Sequence, residues 1–191
     1  MPLRPPDGPV RLRADVTLGP VLPDCAERML RWVSDPEVSG HVGIRQVPSL
    51  EKTLAWIENA ANDASVRPFA ILLGDRHVGN VVLDRIDPHL GTARFSIYIG
   101  EPDARANGVG RSAAHLALRA AFEGLQLYKV WLTVHAENTR AIQSYLRVGF
   151  RQEGVLRGEF LLNGVRLDLL YMGILASEFA DVPVEGGAGD L

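Results

Sequence analysis

Midway along the chain a β-like run, Phe95-Ser96-Ile97-Tyr98-Ile99, passes through Gly100-Glu101-Pro102 and then Arg105-Ala106-Asn107-Gly108-Val109-Gly110-Arg111 into a helix. The helix is marked by Val109, Ala113, Leu116, Ala117, Ala120 and Ala121, which recur at the i, i+4, i+7, i+8 spacing of one buried face. Glycines at 108 and 110 let the backbone approach a ligand closely, and the N–H groups of the first helical turn have no acceptor within the helix. A phosphate suits such a place, because those donors and the positive end of the helix dipole both favour an anion. Arg105 and Arg111 flank the turn and add charge. The same letters admit two other readings: a helix entry that only needs small residues, and the G-x-G-x-x-A of a dinucleotide fold, spelled by Gly108 to Ala113.

The order of elements bears on that choice. Val10 to Leu18 alternates as a first strand. Asp24 and Glu27 form a capping-box pair ahead of an apolar stripe of Ala26, Met29, Leu30 and Val33. Asp35 to Pro48 reads as loop, carrying His41, Gly43 and Arg45, and Ser49 caps a second helix with Leu50, Leu54 and Ile57 on one face. Phe69 to Leu73 and His77 to Leu83 make a hairpin about Gly74-Asp75-Arg76, and Asp87 to Gly91 turns the chain into the Phe95 strand. A Rossmann fold puts its glycines directly after the first strand of its sheet, whereas here Glu101 to Asn107 intervene and several strands have already passed. Glu137, at the end of the following strand, keeps the dinucleotide reading, and with it an NAD-binding oxidoreductase, as an alternative.

Beyond the central helix, Tyr128 to His135 reads as a strand that a helical crossover sets parallel to the Phe95 strand. Asn138 caps a helix over Thr139 to Arg147, which Gly149 ends. Asn138, Ile142 and Tyr145, spaced i, i+4 and i+7, share one face of it. On that face Tyr145 is either a phenol able to donate a proton or a core aromatic. Strands near Phe150 to Leu161 and Val165 to Ile174 join at Asn163-Gly164, a two-residue hairpin signal. The expected class is α+β, a mixed and mostly antiparallel sheet with flanking helices.

At 191 residues, 47% of them hydrophobic, the chain suits one domain, expected over 10–176 between a loose proline-rich segment 1–9 and a polar tail 177–191. A net charge of −3 offers no basic face for nucleic acid. The single cysteine, Cys25, has no partner for an internal disulfide, which fits a reducing cytoplasm, and its place on an apolar helix face reads as a small buried hydrophobe. No apolar run reaches membrane-spanning length, and Met1-Pro-Leu-Arg-Pro-Pro lacks the hydrophobic region of a signal peptide. No cluster of His, Cys or carboxylates has metal-ligand spacing. A cytoplasmic protein is expected.

Arg105-x-x-Gly108-x-Gly110 at a strand-to-helix entry, followed by Asn138-Thr-Arg-Ala-Ile-Gln-Ser-Tyr145-Leu-Arg-Val-Gly149-Phe150, resembles the two signature motifs of the GNAT N-acetyltransferase superfamily. Ala93-Arg-Phe-Ser-Ile-Tyr-Ile, Leu127-Tyr128-Lys129, Glu153-Gly154 and Glu159-Phe160-Leu-Leu-Asn163-Gly164 are similar to spermidine N-acetyltransferases and, more loosely, to the RimJ/RimL group. The similarity covers about Phe69 to Ile174. It implies the GNAT acyl-CoA N-acyltransferase fold, a sheet splayed open between the Phe95 strand and the parallel Tyr128 strand, with acetyl-CoA in the gap. It further implies that the turn formed by Arg105, Ala106, Asn107, Gly108, Val109, Gly110 and Arg111 holds the pyrophosphate through backbone N–H groups. Tyr98 and Ile99 would pair by backbone with the pantetheine arm, Asn138 would touch the cofactor, and Tyr145 would be the general acid. Ala106 and Asn107 depart from the small and basic residues commoner in the motif, and Thr133 stands where some members carry a glutamate base.

The chemistry gives those parts their roles. A primary amine must shed a proton before attacking a thioester, and the expelled thiolate must gain one. Tyr145 suits the second step, and a backbone N–H at the end of the Tyr98 strand is the implied donor to the oxyanion. His135 and a chain of waters both stand as candidate bases. The acceptor is open among a polyamine, a protein N-terminus and another small amine. Asp35, Glu37, Glu58, Asp84 and Asp87 either line a polyamine site or form a solvated acidic surface. The resemblance also implies a homodimer or larger homo-oligomer, with the C-terminal strands as the contact. A non-catalytic acyl-CoA-binding module is the other alternative; loss of Tyr145 or Asn138 would mark it, and both are present.

Overall fold

The computed structural model describes Leu3 and residues 11–42, 47–180, 182 and 184–185. Val10, the rest of segment 1–9, Gly43, Arg45 and most of the tail beyond 180 lie outside the described residues. In chain order the elements are β1 (Leu12–Arg13), β2 (Val16–Gly19), α1 (Ala26–Val33), α2 (Pro36–Val42), α3 (Leu50–Asn62), β3 (Arg67–Leu73), β4 (Arg76–Asp87) and β5 (Thr92–Ile99). They continue with α4 (Val109–Arg119), β6 (Lys129–His135), α5 (Thr139–Arg147), β7 (Arg151–Leu162), β8 (Val165–Leu175) and β9 (Val184–Glu185). One sheet runs β2-β3-β4-β5-β6-β8-β7, and every pair in it is antiparallel except β5 with β6. This is the mixed α+β sheet expected, and it is not the doubly wound parallel sheet that the dinucleotide reading requires.

The hairpins form where their residues permit. Asn163 and Gly164 have φ of +50° and +81°, the left-handed pair that a two-residue turn between β7 and β8 demands. Asp87 Oδ1 accepts from the N–H groups of His89 and Leu90, both at 2.9 Å, and so fixes the β4–β5 turn.

Pleating divides the core. Along β5, Phe95, Ile97 and Ile99 pack with α4 and α5, whose Val109, Ala113, Ala117, Ile142 and Leu146 are buried. Tyr98 points to the other face, against a smaller cluster of Cys25, Ala26, Met29, Trp32 and Ile57 from α1, its preceding turn and α3. Trp32 is the residue that seats α1: its Nε1 donates to Glu101 Oε1 at 2.9 Å, and a Cβ at Gly100 would fall inside its indole. Glycine at 100 is therefore a packing requirement of the β5 end.

Several expectations are corrected here. The first strand is broken into β1 and β2 by a turn at Ala14-Asp15. The 35–48 stretch is not all loop, because Pro36 opens α2 in the first turn, where a missing N–H costs no helical bond, and the Asp35 carbonyl accepts from Val38 and Ser39. Among the described residues three α-helices, not two, thus lie between β2 and β3. The Asp24-Glu27 capping box does not form, because Pro23 starts a 3-10 turn and α1 begins after it without a side-chain cap. On α3 only Ile57 of the expected stripe is buried, while Leu50 and Leu54 are exposed. Ser49 does cap that helix, accepting from Lys52 N at 3.3 Å.

Candidate active site

The parallel pairing of β5 and β6 is confined to Thr92–Arg94 against Lys129–Trp131. Past those residues both strands continue, to Ile99 and His135, without pairing to each other. The sheet is therefore split at its centre, and α4 starts beside the open end of β5 while α5 follows β6.

At that open end the glycine turn has the backbone its sequence calls for. Ala106 and Gly108 have φ of +68° and +80°, and α4 begins at Val109 with Gly108 as its N-cap residue. Gly108 offers no side chain to cap the helix, so the N–H groups of Val109, Gly110 and Arg111 have neither an intrahelical acceptor nor a side-chain cap from it. The two arginines that flank the turn behave differently. Arg105 folds inward: Nε donates to the Ile99 carbonyl and Nη2 to that of Gly100, each at 3.0 Å, with Asp35 3.8 Å away. Its side chain braces the end of β5, and the Ile99 carbonyl is thereby engaged within the chain. Arg111 stays at the turn, with Nε donating to the Arg11 carbonyl at 3.1 Å. Burial and the nearby charge of Arg147 hold the Arg111 pKa below its ordinary value, so cations from α4 and α5 meet here. Arg13 arrives from β1, Nη1 donating to the Asn107 carbonyl at 3.1 Å. Arg13 and Arg147 were not legible as site residues, being distant in sequence from the turn they approach.

Asn138 caps α5 as its sequence context predicts, Oδ1 accepting from Ala141 N at 3.1 Å, which leaves its Nδ2 hydrogens for other partners. Tyr145, two turns on, stands edge-on to Phe95 and Phe150 with ring centroids 6.1 and 5.8 Å away. Burial pushes its pKa up to about 12, and its hydroxyl makes no hydrogen bond to any of the described residues. The phenol is not sealed in the core, because the ring borders a cleft.

That cleft, of about 630 Å³, lies between the sheet and the α1–α3 side and reaches through the split to Tyr145. Its floor is made by cross-strand neighbours of β4 and β5, Asn80 opposite Tyr98 and Val82 opposite Ser96, with Arg94 beyond them. Thr133 and His135 of β6, and Glu159 and Phe160 of β7, close the far side; Met29, Val33, Lys52 and Trp56 form the roof. Tyr98, expected as a backbone partner of the donor, thus also presents its side chain to this space. Asn80 Nδ2 donates to its hydroxyl at 2.6 Å, and burial drives its pKa up to about 12.

The acidic residues singled out for a polyamine do not gather here. Asp84 lies opposite Arg94 and accepts from Nε at 2.7 Å and Nη2 at 2.5 Å. Asp87 is spent on the β4–β5 turn, Asp35 faces Arg105, Glu58 is exposed on α3, and the Glu37 side chain lies outside the described residues. Among the described residues lining the cleft, the charged groups are Lys52, Arg94 and Glu159, with His135 beside them. As lining of this cleft, Arg94, Asn80, Lys52 and Glu159 were not singled out from the sequence. A signal existed for one of them: in β5 the polar residues Arg94, Ser96 and Tyr98 alternate with apolar ones and so share a face.

The Acetyltransferase (GNAT) domain family matches residues 15–151. The spermidine N(1)-acetyltransferase of Escherichia coli (strain K12) is 35% identical over 118 residues, 62% of this chain and 63% of that relative. The Vibrio cholerae spermidine N(1)-acetyltransferase is 36% identical over 102 residues, 53% of this chain and 58% of the relative. The matched stretch is thus less than two thirds of either relative's length. Among solved structures, spermidine N-acetyltransferase from Vibrio cholerae in complex with CoA and spermine is similar with a TM-score of 0.82 at 26% identity, covering 87% of this chain and 98% of that one.

Proposed function

The chain belongs to the GNAT acetyltransferase family, and on that footing we propose that it is an acetyl-CoA-dependent N-acetyltransferase, moving an acetyl group to a primary amine by direct attack with both substrates bound. The observation that carries this reading is the split between β5 and β6, which has an uncapped helix N-terminus at its mouth and the Tyr145 phenol on its wall. The turn fits a pyrophosphate. The backbone at Gly108, with φ +80°, favours glycine, a Cβ there would press on the Arg111 guanidinium at 3.3 Å, and Arg13 and Arg147 add positive charge nearby.

Bound acetyl-CoA supplies an activated thioester. In this reading the N–H groups of Val109, Gly110 and Arg111 hold its phosphates, with Arg105, Ala106 and Asn107 shaping the turn. The backbone end of β5 at Tyr98 and Ile99 aligns its arm by groups other than the Ile99 carbonyl that Arg105 holds, and Asn138 Nδ2, without a partner among the described residues, offers a further donor. Tyr145, with a pKa near 12, keeps its proton at neutral pH and has it available for the departing sulfur. Thr133 has no ionisation in this range, so the amine's proton passes to His135 or to water held in the cleft. The free, buried thiol of Cys25 accords with a reducing cytoplasm.

Self-association belongs to the same reading. β7 ends the sheet with its outer edge unpaired among the described residues, and Val155, Leu161 and Val165 of the β7–β8 hairpin are exposed, a surface that a second copy would cover.

Calorimetric titration with acetyl-CoA and with NAD, followed by a thiol-release assay over a panel of amines, tests the function. Saturable acetyl-CoA binding and amine-dependent thiol release are expected. Binding of NAD with no response to CoA would overturn it.

A further inference from the structure

We propose that the acceptor is a primary amine that carries its own anionic group, a carboxylate or a phosphate, several bonds from the nitrogen, and that Arg94 holds that group. The inference rests on the acetyltransferase reading above and narrows its substrate.

Arg94 is built as a receptor. Asp84, its neighbour across β4 and β5, takes Nε and Nη2, which fixes the plane of the guanidinium and leaves Nη1 and the second Nη2 hydrogen to bond elsewhere. About a third of the side chain, 35%, is exposed, and it borders the cleft. A guanidinium braced by a carboxylate on one side presents a preorganised pair of donors on the other, the arrangement that suits a second anion. Lys52 comes from the opposite wall on α3, its Nζ donating to the Val47 carbonyl at 3.2 Å with two hydrogens to spare.

A polycation finds the reverse of what it needs. Each ammonium taken from water calls for a carboxylate or comparable acceptor. The described lining offers the carboxylate of Glu159, while Asp84 is already committed to Arg94. With Asp84 neutralising Arg94 and Glu159 set against Lys52, the described wall carries no net negative charge to draw in a spermidine-like chain.

Position sets the length of the acceptor. Arg94 precedes Ile97, which borders the split, by three residues or about 10 Å of strand. An anion held at Arg94 and an amine at the split therefore need several bonds between them.

Initial rates of thiol release at saturating acetyl-CoA would be compared for ε-aminocaproate, its neutral amide, 4-aminobutyl phosphate, which matches it in length, and spermidine. The carboxylate or the phosphate should exceed both the amide and spermidine in kcat/KM by about 10-fold or more, the worth of one charge-assisted contact; which of the two leads identifies the anion. Arg94→Gln should erase that advantage through KM rather than kcat, and should favour spermidine by releasing Asp84. Lys52→Glu, at an exposed position, should shift the preference the same way. Spermidine outrunning the anionic amines, or an unchanged preference in both variants, overturns the proposal. Failure to bind acetyl-CoA in calorimetry, with no release for any amine, instead overturns the acetyltransferase reading beneath it.

Discussion

Asn80 donates its side-chain amide to the Tyr98 hydroxyl at 2.6 Å, joining β4 to β5 across the floor of the cleft. The bond ends a longer chain. His77 Nε2 lies 2.8 Å from Asn80 Oδ1 and 2.9 Å from the Gly79 carbonyl, both acceptors, so that nitrogen carries the ring hydrogen. Nδ1 is then free to accept from Arg28 Nε at 3.4 Å. With the Asn80 donor already on its oxygen, Tyr98 directs its own hydrogen elsewhere, and the cleft is the space it borders.

The neutral His77 ring makes stability depend on pH. Burial lowers its pKa from the ordinary 6.5, outweighing the upward pull of its bond to Asn80, and the charge of Arg28 lowers it further. Protonation is thus easier in the unfolded chain than in the fold. The stabilisation is complete above about pH 6.5 and is lost as pH falls below it. Thermal melts from about pH 7.5 down to about pH 5 should show Tm dropping more steeply for the wild type than for His77→Gln. Parallel profiles would remove His77 as the titrating group.

Tyr98→Phe keeps the ring beside Trp32, 6.1 Å away, but strands the Asn80 amide at a site only 1% exposed. The expected loss is about 1–3 kcal/mol in urea denaturation. The double variant with Asn80→Ala should lose less than the sum of the two singles by about 1 kcal/mol. Strict additivity would mean that the bond contributes nothing beyond its parts.

The sequence showed most of the proposed donor side of the split and little of the proposed acceptor side, for a physical reason. The turn at Gly108, the Asn138 cap and the Tyr145 face are local: each is set by residues within two helical turns, and the helix spans Thr139–Arg147 as its cap and terminating glycine require. The cleft floor is non-local. Arg94 becomes a receptor only through Asp84, ten residues earlier on the adjoining strand, and that pairing depends on a β4–β5 register with an irregularity between Asp84 and Asp87. Gly79 to Val81 are buried on both faces of β4, so no alternation singled out Asn80. Pro36 was ambiguous in itself, since the residue that ends one helix also starts another.

Gly108→Val should abolish acetyl-CoA binding. The left-handed backbone at φ +80° costs a non-glycine residue about 1–2 kcal/mol, and a branched side chain would press on the Arg111 guanidinium and the stem of Arg13. Calorimetry on the folded variant checks this, with circular dichroism confirming the fold. Affinity equal to the wild type would place the phosphate site away from α4.

Sedimentation velocity across a concentration range should show a dimer or larger assembly. Val155→Lys on the exposed face of β7 should shift it toward monomer, because a charge at the centre of an apolar contact is left without water. A monomer at every concentration refutes the β7 edge as a contact.

Tyr145→Phe separates proton transfer from packing. The ring is held by Phe95 and Phe150, and the hydroxyl has no partner among the described residues, so its removal should leave Tm and acetyl-CoA affinity nearly unchanged. If the phenol protonates the departing thiolate, turnover should fall by roughly 10²–10⁴, the usual loss for a positioned acid. The fall should appear equally in kcat and kcat/KM, because the missing interaction exists only in the transition state. A structural hydroxyl predicts the opposite pattern, a lower Tm with turnover intact, at a cost of about 1 kcal/mol. Measured on one preparation with an accepted amine at saturating acetyl-CoA, a near-normal kcat would take Tyr145 out of the mechanism and leave the sulfur to be protonated by water.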